Sequence, residues 1–215
     1  MKKIKSIIVT ASMLFTFGAA NAMAEEHSAV SSQIEQVQQE KNLVKELVTE
    51  FNAHADELIV TPEEPYKEVK LSNGYTIFAE ITPSNSASDI SSRANEAPSA
   101  RAQQSKEIKS THGFKNLYGQ IVVQLVTTTK WTYDFDKVLN GTTTTVGEPK
   151  MLGWGLKWKD VSDPFKSAYD KEWEWTASAM FSYNVSGVEF DTLELITHHR
   201  VKYNGEYAWK YEFVD

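Results

Sequence analysis

The stretch that decides the fold is Glu172-Trp173-Glu174-Trp175-Thr176-Ala177-Ser178-Ala179-Met180-Phe181-Ser182-Tyr183-Asn184. Trp173, Trp175, Ala177, Ala179, Phe181 and Tyr183 occupy every second position, and Glu174, Thr176, Ser178, Ser182 and Asn184 fill the alternate ones. Successive side chains of a strand point to opposite faces, so this period of two specifies a strand with one buried and one wet face. The pattern recurs on both sides. Ile121, Val123 and Leu125 alternate, as do Trp131, Tyr133 and Phe135, while Leu193 and Leu195 lead towards Val201 and Tyr203. Asn204-Gly205 then turns the chain into Tyr207, Trp209, Tyr211 and Phe213, and Asn73-Gly74 separates Tyr66–Leu71 from Tyr75–Thr82. An Asn-Gly pair between alternating runs reads as a two-residue hairpin whose turn residues both take positive φ. Asp163-Pro164 reads as the start of a short helical turn. Antiparallel strands with one apolar face each must bury it against a second layer, and a β-sandwich over 106–215 is the expected arrangement.

Upstream the period changes. Between Gly18 and Pro62 the chain has neither glycine nor proline, as a long helix requires. Ser32 and Glu35 fit a capping box, and Ile34, Val37, Val44, Leu47, Val48 and Phe51 draw one apolar stripe. The opposite face carries Glu35, Glu40, Glu46 and Glu50. Such a stripe implies packing on a neighbouring sheet or on a second copy; a removable acidic pro-segment is the alternative. Segment 84–105 is rich in Ser and Ala, has almost no large apolar residue after Ile90, and reads as a flexible linker with Arg93, Arg101 and the adjoining Lys106 as protease targets.

The first 24 residues combine Lys2, Lys3 and Lys5 with an apolar run from Ile7 to Ala20 and a small-x-small Ala22-Met23-Ala24, the layout of a secretory signal peptide. The apolar run is shorter than the ~20 residues that span a bilayer, so no stable membrane span is expected. The organisation is thus α+β, mainly β: signal peptide 1–24, acidic amphipathic helix 25–60, β-hairpin 61–83, linker 84–105 and aromatic-rich sandwich 106–215.

Charge and composition exclude several functions. The chain carries 22 Lys+Arg against 29 Asp+Glu, and without the three leader lysines the acid excess grows, which argues against nucleic acid as a partner. Zero cysteines exclude a disulfide scaffold, a thiol nucleophile and a lipid-anchored N-terminus. There is no phosphate-binding glycine loop, no His-Glu-x-x-His and no Gly-x-Ser-x-Gly, and no cofactor is expected. His198 and His199 are adjacent on a strand, so they point to opposite faces and do not chelate one metal. Asp134, Asp136 and Asn140-Gly141 miss the spacing of a calcium loop. Glu172 and Glu174, two apart, read as a solvated edge opposite Lys171 or Lys210 rather than as a glycosidase pair. Thr127–Thr129 and Thr142–Thr145 read as a soluble β-branched edge rather than as pore-forming hairpins, whose alternation Asp134, Asp136 and Lys137 interrupt.

Tryptophan is the strongest remaining signal, because its face stacks on sugars and partner surfaces but also fills a core. Four or five of the six are expected in the core. Trp154 and Trp158, in Met151-Leu152-Gly153-Trp154-Gly155-Leu156-Lys157-Trp158, are the expected ligand-binding pair, since the glycines permit close approach. Asn116-Leu117-Tyr118-Gly119, Trp131-Thr132-Tyr133-Asp134 and Gly153-Trp154 resemble small secreted, largely uncharacterised aromatic β-sandwich proteins of Gram-positive bacteria. That resemblance implies a fold and an extracellular address and transfers no catalytic residue. The expectation is therefore a secreted, non-enzymatic binding protein whose partner is a cell-wall glycan or a protein. A secreted toxin with a helical pro-segment is the alternative.

Overall fold

The computed structural model describes residues 44–84, 103–185 and 188–214. It is mainly β, with a short helix followed by two antiparallel sheets packed face to face without closing into a barrel. Helix α1 covers 44–54 and tightens into a 3₁₀ turn at Ala55–Leu58. The first sheet has the order β1 (Tyr66–Lys70), β2 (Thr76–Ser84), β3 (Gln104–Lys115), β4 (Ile121–Tyr133) and β5 (Val138–Pro149). The second runs β10 (Tyr207–Val214), β9 (Val188–Lys202), β8 (Glu172–Val185) and β6 (Trp154–Val161), with the two-residue β7 (Phe165–Lys166) also pairing β8.

The decisive stretch behaves as its alternation requires. Trp173, Trp175, Ala177, Ala179 and Phe181 are buried between the layers, and their alternates face outward. β5 lies over β8 and β6, and β4 over β9. β3 meets β10 where the His112 ring stacks on Tyr211 at 4.5 Å between centroids. The hairpin β1–β2 is an integral part of the first sheet, because β2 pairs β3 from Thr76↔Lys115 to Ser84↔Glu107.

Helix α1 closes the side of the sandwich between β10 and that hairpin. Val44, Leu47, Val48 and Phe51 are buried, as their stripe predicts, and Phe51 stacks on Phe213 at 3.7 Å. Glu50 holds the Ser72 backbone amide at 2.7 Å and also accepts from its hydroxyl, which pins the helix to the β1–β2 turn. The capping box at Ser32 and Glu35, with Ile34 and Val37, lies outside the described residues, as does most of the linker.

Three local expectations are corrected. Both Asn-Gly pairs do mark hairpins, but only the glycines have positive φ, at +89° for Gly74 and +82° for Gly205. Gly74 N–H bonds to Leu71 C=O and Leu71 N–H to Tyr75 C=O, and Gly205 repeats this with Lys202 and Glu206. These are three-residue loops, a type I turn plus a glycine bulge, because Asn then stays in the ordinary right-handed region and only Gly must leave it. Asn116-Leu117-Tyr118-Gly119 closes β3–β4 by the same bonds. Asp163-Pro164 starts no helical turn: Phe165 pairs with Glu174, and the 3₁₀ turn begins only at Ala168. The residue before proline is driven towards extended backbone, which suits a strand entry. Finally, the threonine runs form an edge only in part: Thr142–Thr145 lie in β5, the outermost strand of the first sheet, with Thr142 and Thr144 exposed, whereas Thr127–Thr129 lie in the interior strand β4. Thr127, Thr129 and Thr145 point inward and are buried, with Thr129 Oγ1 2.8 Å from Thr143 Oγ1 and Thr127 Oγ1 3.2 Å from Thr145 Oγ1.

Candidate functional site: an aromatic groove beside the last strand

β10 is hydrogen-bonded to β9 on one side, and its other side faces the segment that follows α1. Between them runs a groove of about 430 Å³. Its floor is Tyr207 and Trp209, stacked on each other at 5.5 Å and 29°, with Tyr207 also edge-on to the buried Trp131 at 6.0 Å. Its far wall is Ile59, Val60, Thr61 and Pro62. Period two gives Tyr207 and Trp209 the inward face, but at the sheet edge that face is covered on one side only, and both rings stay half-buried.

The walls are fixed by local bonds. Thr61 and Glu64 exchange backbone bonds of 3.0 and 3.1 Å around Pro62-Glu63, and Ile81 N–H holds Pro65 C=O at 2.8 Å. Val60 is buried whereas Ile59, next to it, is 58% exposed at the rim. Polar groups close one end. Lys106 Nζ donates to Gly205 C=O at 2.9 Å, and Asn204 Oδ1 accepts from Glu206 N–H at 3.1 Å. Glu206 pairs with Lys202 at 3.0 Å, and that partner holds its carboxyl below the usual range. The Tyr207 phenol is pushed up, first by burial and then by the field of Glu63. An apolar floor with an amide, a carboxylate and an ammonium at one end orients an amphipathic ligand and supplies no nucleophile–base pair.

Trp154 and Trp158, the pair expected from sequence, are not brought together. β6 pairs Trp154 with Tyr183 and Trp158 with Met180, with a bulge between Leu156 and Trp158. Directly opposed residues share a face, so Trp154 points inward and Trp158 outward. Trp154 is half-buried between Phe114 at 5.6 Å and Tyr183 at 5.4 Å. Trp158 is 40% exposed on the outer face of the second sheet.

The other chemistry-bearing residues are engaged locally. Glu174 pairs with Arg200 at 2.7 Å, with Glu172 at 3.9 Å from the same guanidinium, so the partner is Arg200 rather than Lys171 or Lys210. The register explains this, since Glu174 lies directly opposite Arg200. Asp134 Oδ1 accepts the backbone amides of Asp136 and Lys137 and closes its own turn. His199 is buried with Nε2 2.7 Å from Ser110 Oγ and Nδ1 2.7 Å from Thr129 Oγ1, while His198 faces outward beside Thr176. Among the described residues no cluster of His, Asp and Glu has the geometry to hold a metal.

Sequence reasoning missed the groove because alternation assigns Tyr207 and Trp209 to the core. The sheet order, which no local pattern carries, is what leaves β10 with β9 as its one bonded neighbour among the described residues. Comparison with protein-family models, with curated proteins and with solved structures returns no match to this chain.

Proposed function

We infer that the protein is a non-enzymatic binding module that works outside the cell, and that its groove takes a saccharide of the cell wall. The observation that carries this reading is the stacked Tyr207–Trp209 pair flooring an open groove. Aromatic faces contact the C–H faces of pyranose rings, and Asn204, Glu206 and Lys106 meet hydroxyl, amide and carboxylate groups at one end. The leader-like segment 1–24 supports an extracellular address. The burial of α1 in the core speaks for this module over a toxin masked by a removable helix, since removing α1 exposes Leu47 and Phe51 together with their partners. A second reading has one observation in its favour: among the described residues β10 pairs on one side only, which suits an extended segment of a partner protein.

The test is co-sedimentation with purified cell-wall sacculi. Retention is expected, weakened about tenfold or more by Trp209→Ala, in line with a lost aromatic anchor. Trp158→Ala serves as the comparison on the outer face and leaves retention within about twofold. No retention of the intact protein, or equal loss from the two substitutions, sinks the groove assignment. Retention replaced by capture of extended peptides favours the second reading.

A further inference from the structure

The end of the sandwich formed by the β1–β2, β3–β4 and β5–β6 loops is poor in charge, with Lys150 at the start of the β5–β6 loop as its one acid or base other than tyrosine. Leu71-Ser72-Asn73-Gly74-Tyr75-Thr76, Asn116-Leu117-Tyr118-Gly119-Gln120 and Met151-Leu152-Gly153-Trp154-Gly155 contain no ionisable acid or base other than tyrosine, in a chain whose charged fraction is 24%. Beside the β8–β9 connection the charges are Glu189 and Lys157, which pair at 2.8 Å. The opposite end carries Asp134, Asp136, Lys137, Asp163, Lys171, Lys202 and Glu206. On this charge-poor end three large apolar side chains project into solvent: Leu152 is 96% exposed, Tyr118 82% and Leu117 59%.

These loops are held together. Asn116 Nδ2 donates to Met151 Sδ at 3.2 Å, Lys150 N–H bonds to Val122 C=O at 2.9 Å, and Asn184 N–H bonds to Gly153 C=O at 2.6 Å. Asn116 Oδ1 accepts the amides of Tyr118 and Gln120, both at 3.0 Å, so the β3–β4 loop is preformed. Leu117 leans on the glycine turn of β1–β2, where a Cβ on Gly74 would come within 2.7 Å of its methyl. Of the nearest lysines, Lys115 pairs with Glu68 at 2.7 Å and Lys150 with Glu148 at 2.8 Å, while Lys70, next to Leu71, is exposed and has no ion pair among the described residues.

We propose that this end is a membrane-docking tip, with Leu117, Tyr118 and Leu152 entering the interfacial region of a phospholipid bilayer. Three side chains, at about 150–250 Å² for even a whole aromatic ring, fall short of the roughly 800 Å² that each partner contributes to a stable protein interface. A fluid apolar phase needs no such area and no matching pocket, and it closes around convex protrusions. Tyrosine at the polar–apolar boundary and leucine below it suit that phase. With Lys115 and Lys150 paired and Lys70 the single unpaired lysine beside these loops among the described residues, docking depends on apolar insertion more than on anionic headgroups.

The cysteine-free chain gives a direct test. Full-length protein with Leu152→Cys, or with Tyr169→Cys at the opposite end, is labelled with a polarity-sensitive fluorophore and titrated with vesicles of zwitterionic phosphatidylcholine. A blue shift for the label at position 152 and none at position 169 is expected, surviving 0.5 M salt and reduced about tenfold in apparent affinity by Leu117→Ser. Equal shifts at both ends mean attachment through another part of the chain, including its apolar leader, and overturn the proposal. So does the absence of any shift, or a shift that requires anionic lipid and vanishes in salt.

Discussion

At the residue scale the sandwich interior is unusual in holding two histidines. His112 and His199 are both buried, and burial pushes both imidazoles down to about 3, with His199 adding to the effect on His112 and His198 to that on His199. Neutral His199 is satisfied at both nitrogens, because a hydroxyl can donate to one and accept from the other. His112 bonds Thr197 Oγ1 at 3.1 Å, stacks on Tyr211 and lies tilted against Phe213, with no carboxylate of the described residues against it. The unfolded chain binds protons at these sites near pH 6.5 and the folded one does not, so their contribution is complete above about 6.5 and declines as pH falls towards 3. Each group then costs up to ~1.4 kcal/mol per pH unit in that window. The urea midpoint should therefore drop between pH 7.5 and pH 5, above the range where carboxylates titrate, and His112→Leu should flatten the drop by about half. A midpoint unchanged across that range would contradict the burial of neutral imidazoles.

At the element scale α1 is the piece whose role the sequence left open. Its apolar stripe is legible from Val44, Leu47, Val48 and Phe51, but a stripe says only that something covers it. The structure supplies the cover, Phe213 of β10, together with the Glu50–Ser72 tie to the hairpin turn. Phe51→Ala removes a ring that is 1% exposed and should lower stability by about 3–5 kcal/mol. Hydrogen exchange should show the amides of 44–54 deprotected ahead of β8 and β9. Equal exchange in helix and central strands would mean that α1 has no separate docking step. The strands were legible in the same partial sense. Alternation placed Trp173 to Phe181 on one face, yet it could not register the bulge between Leu156 and Trp158, which turns one tryptophan inward and the other out.

At the scale of the whole molecule, the chain either side of the linker belongs to one sheet. β2 is bonded to β3 across nine residue pairs, so a cut at Arg93 or Arg101 severs the chain without severing the sheet. Limited trypsin treatment should yield two fragments that co-elute in native size-exclusion chromatography and separate only in denaturant; separation without denaturant would show the hairpin and helix to be dispensable. By itself, the sequence determined the mainly-β class, the helix stripe, the sites of the Asn-Gly hairpins and the inward face of β8, because periodicity and turn chemistry are local and survive without a tertiary frame. It could not determine which strands lie at edges, and that decided the candidate site. Tyr207 and Trp209 alternate just as Trp173 and Trp175 do, and only the sheet order leaves the first pair lining a groove and the second sealed in the core. The same holds for the loops. Leu117 and Leu152 are 35 residues apart, with nothing local to join them, and the packing of two sheets brings them to one end of the sandwich.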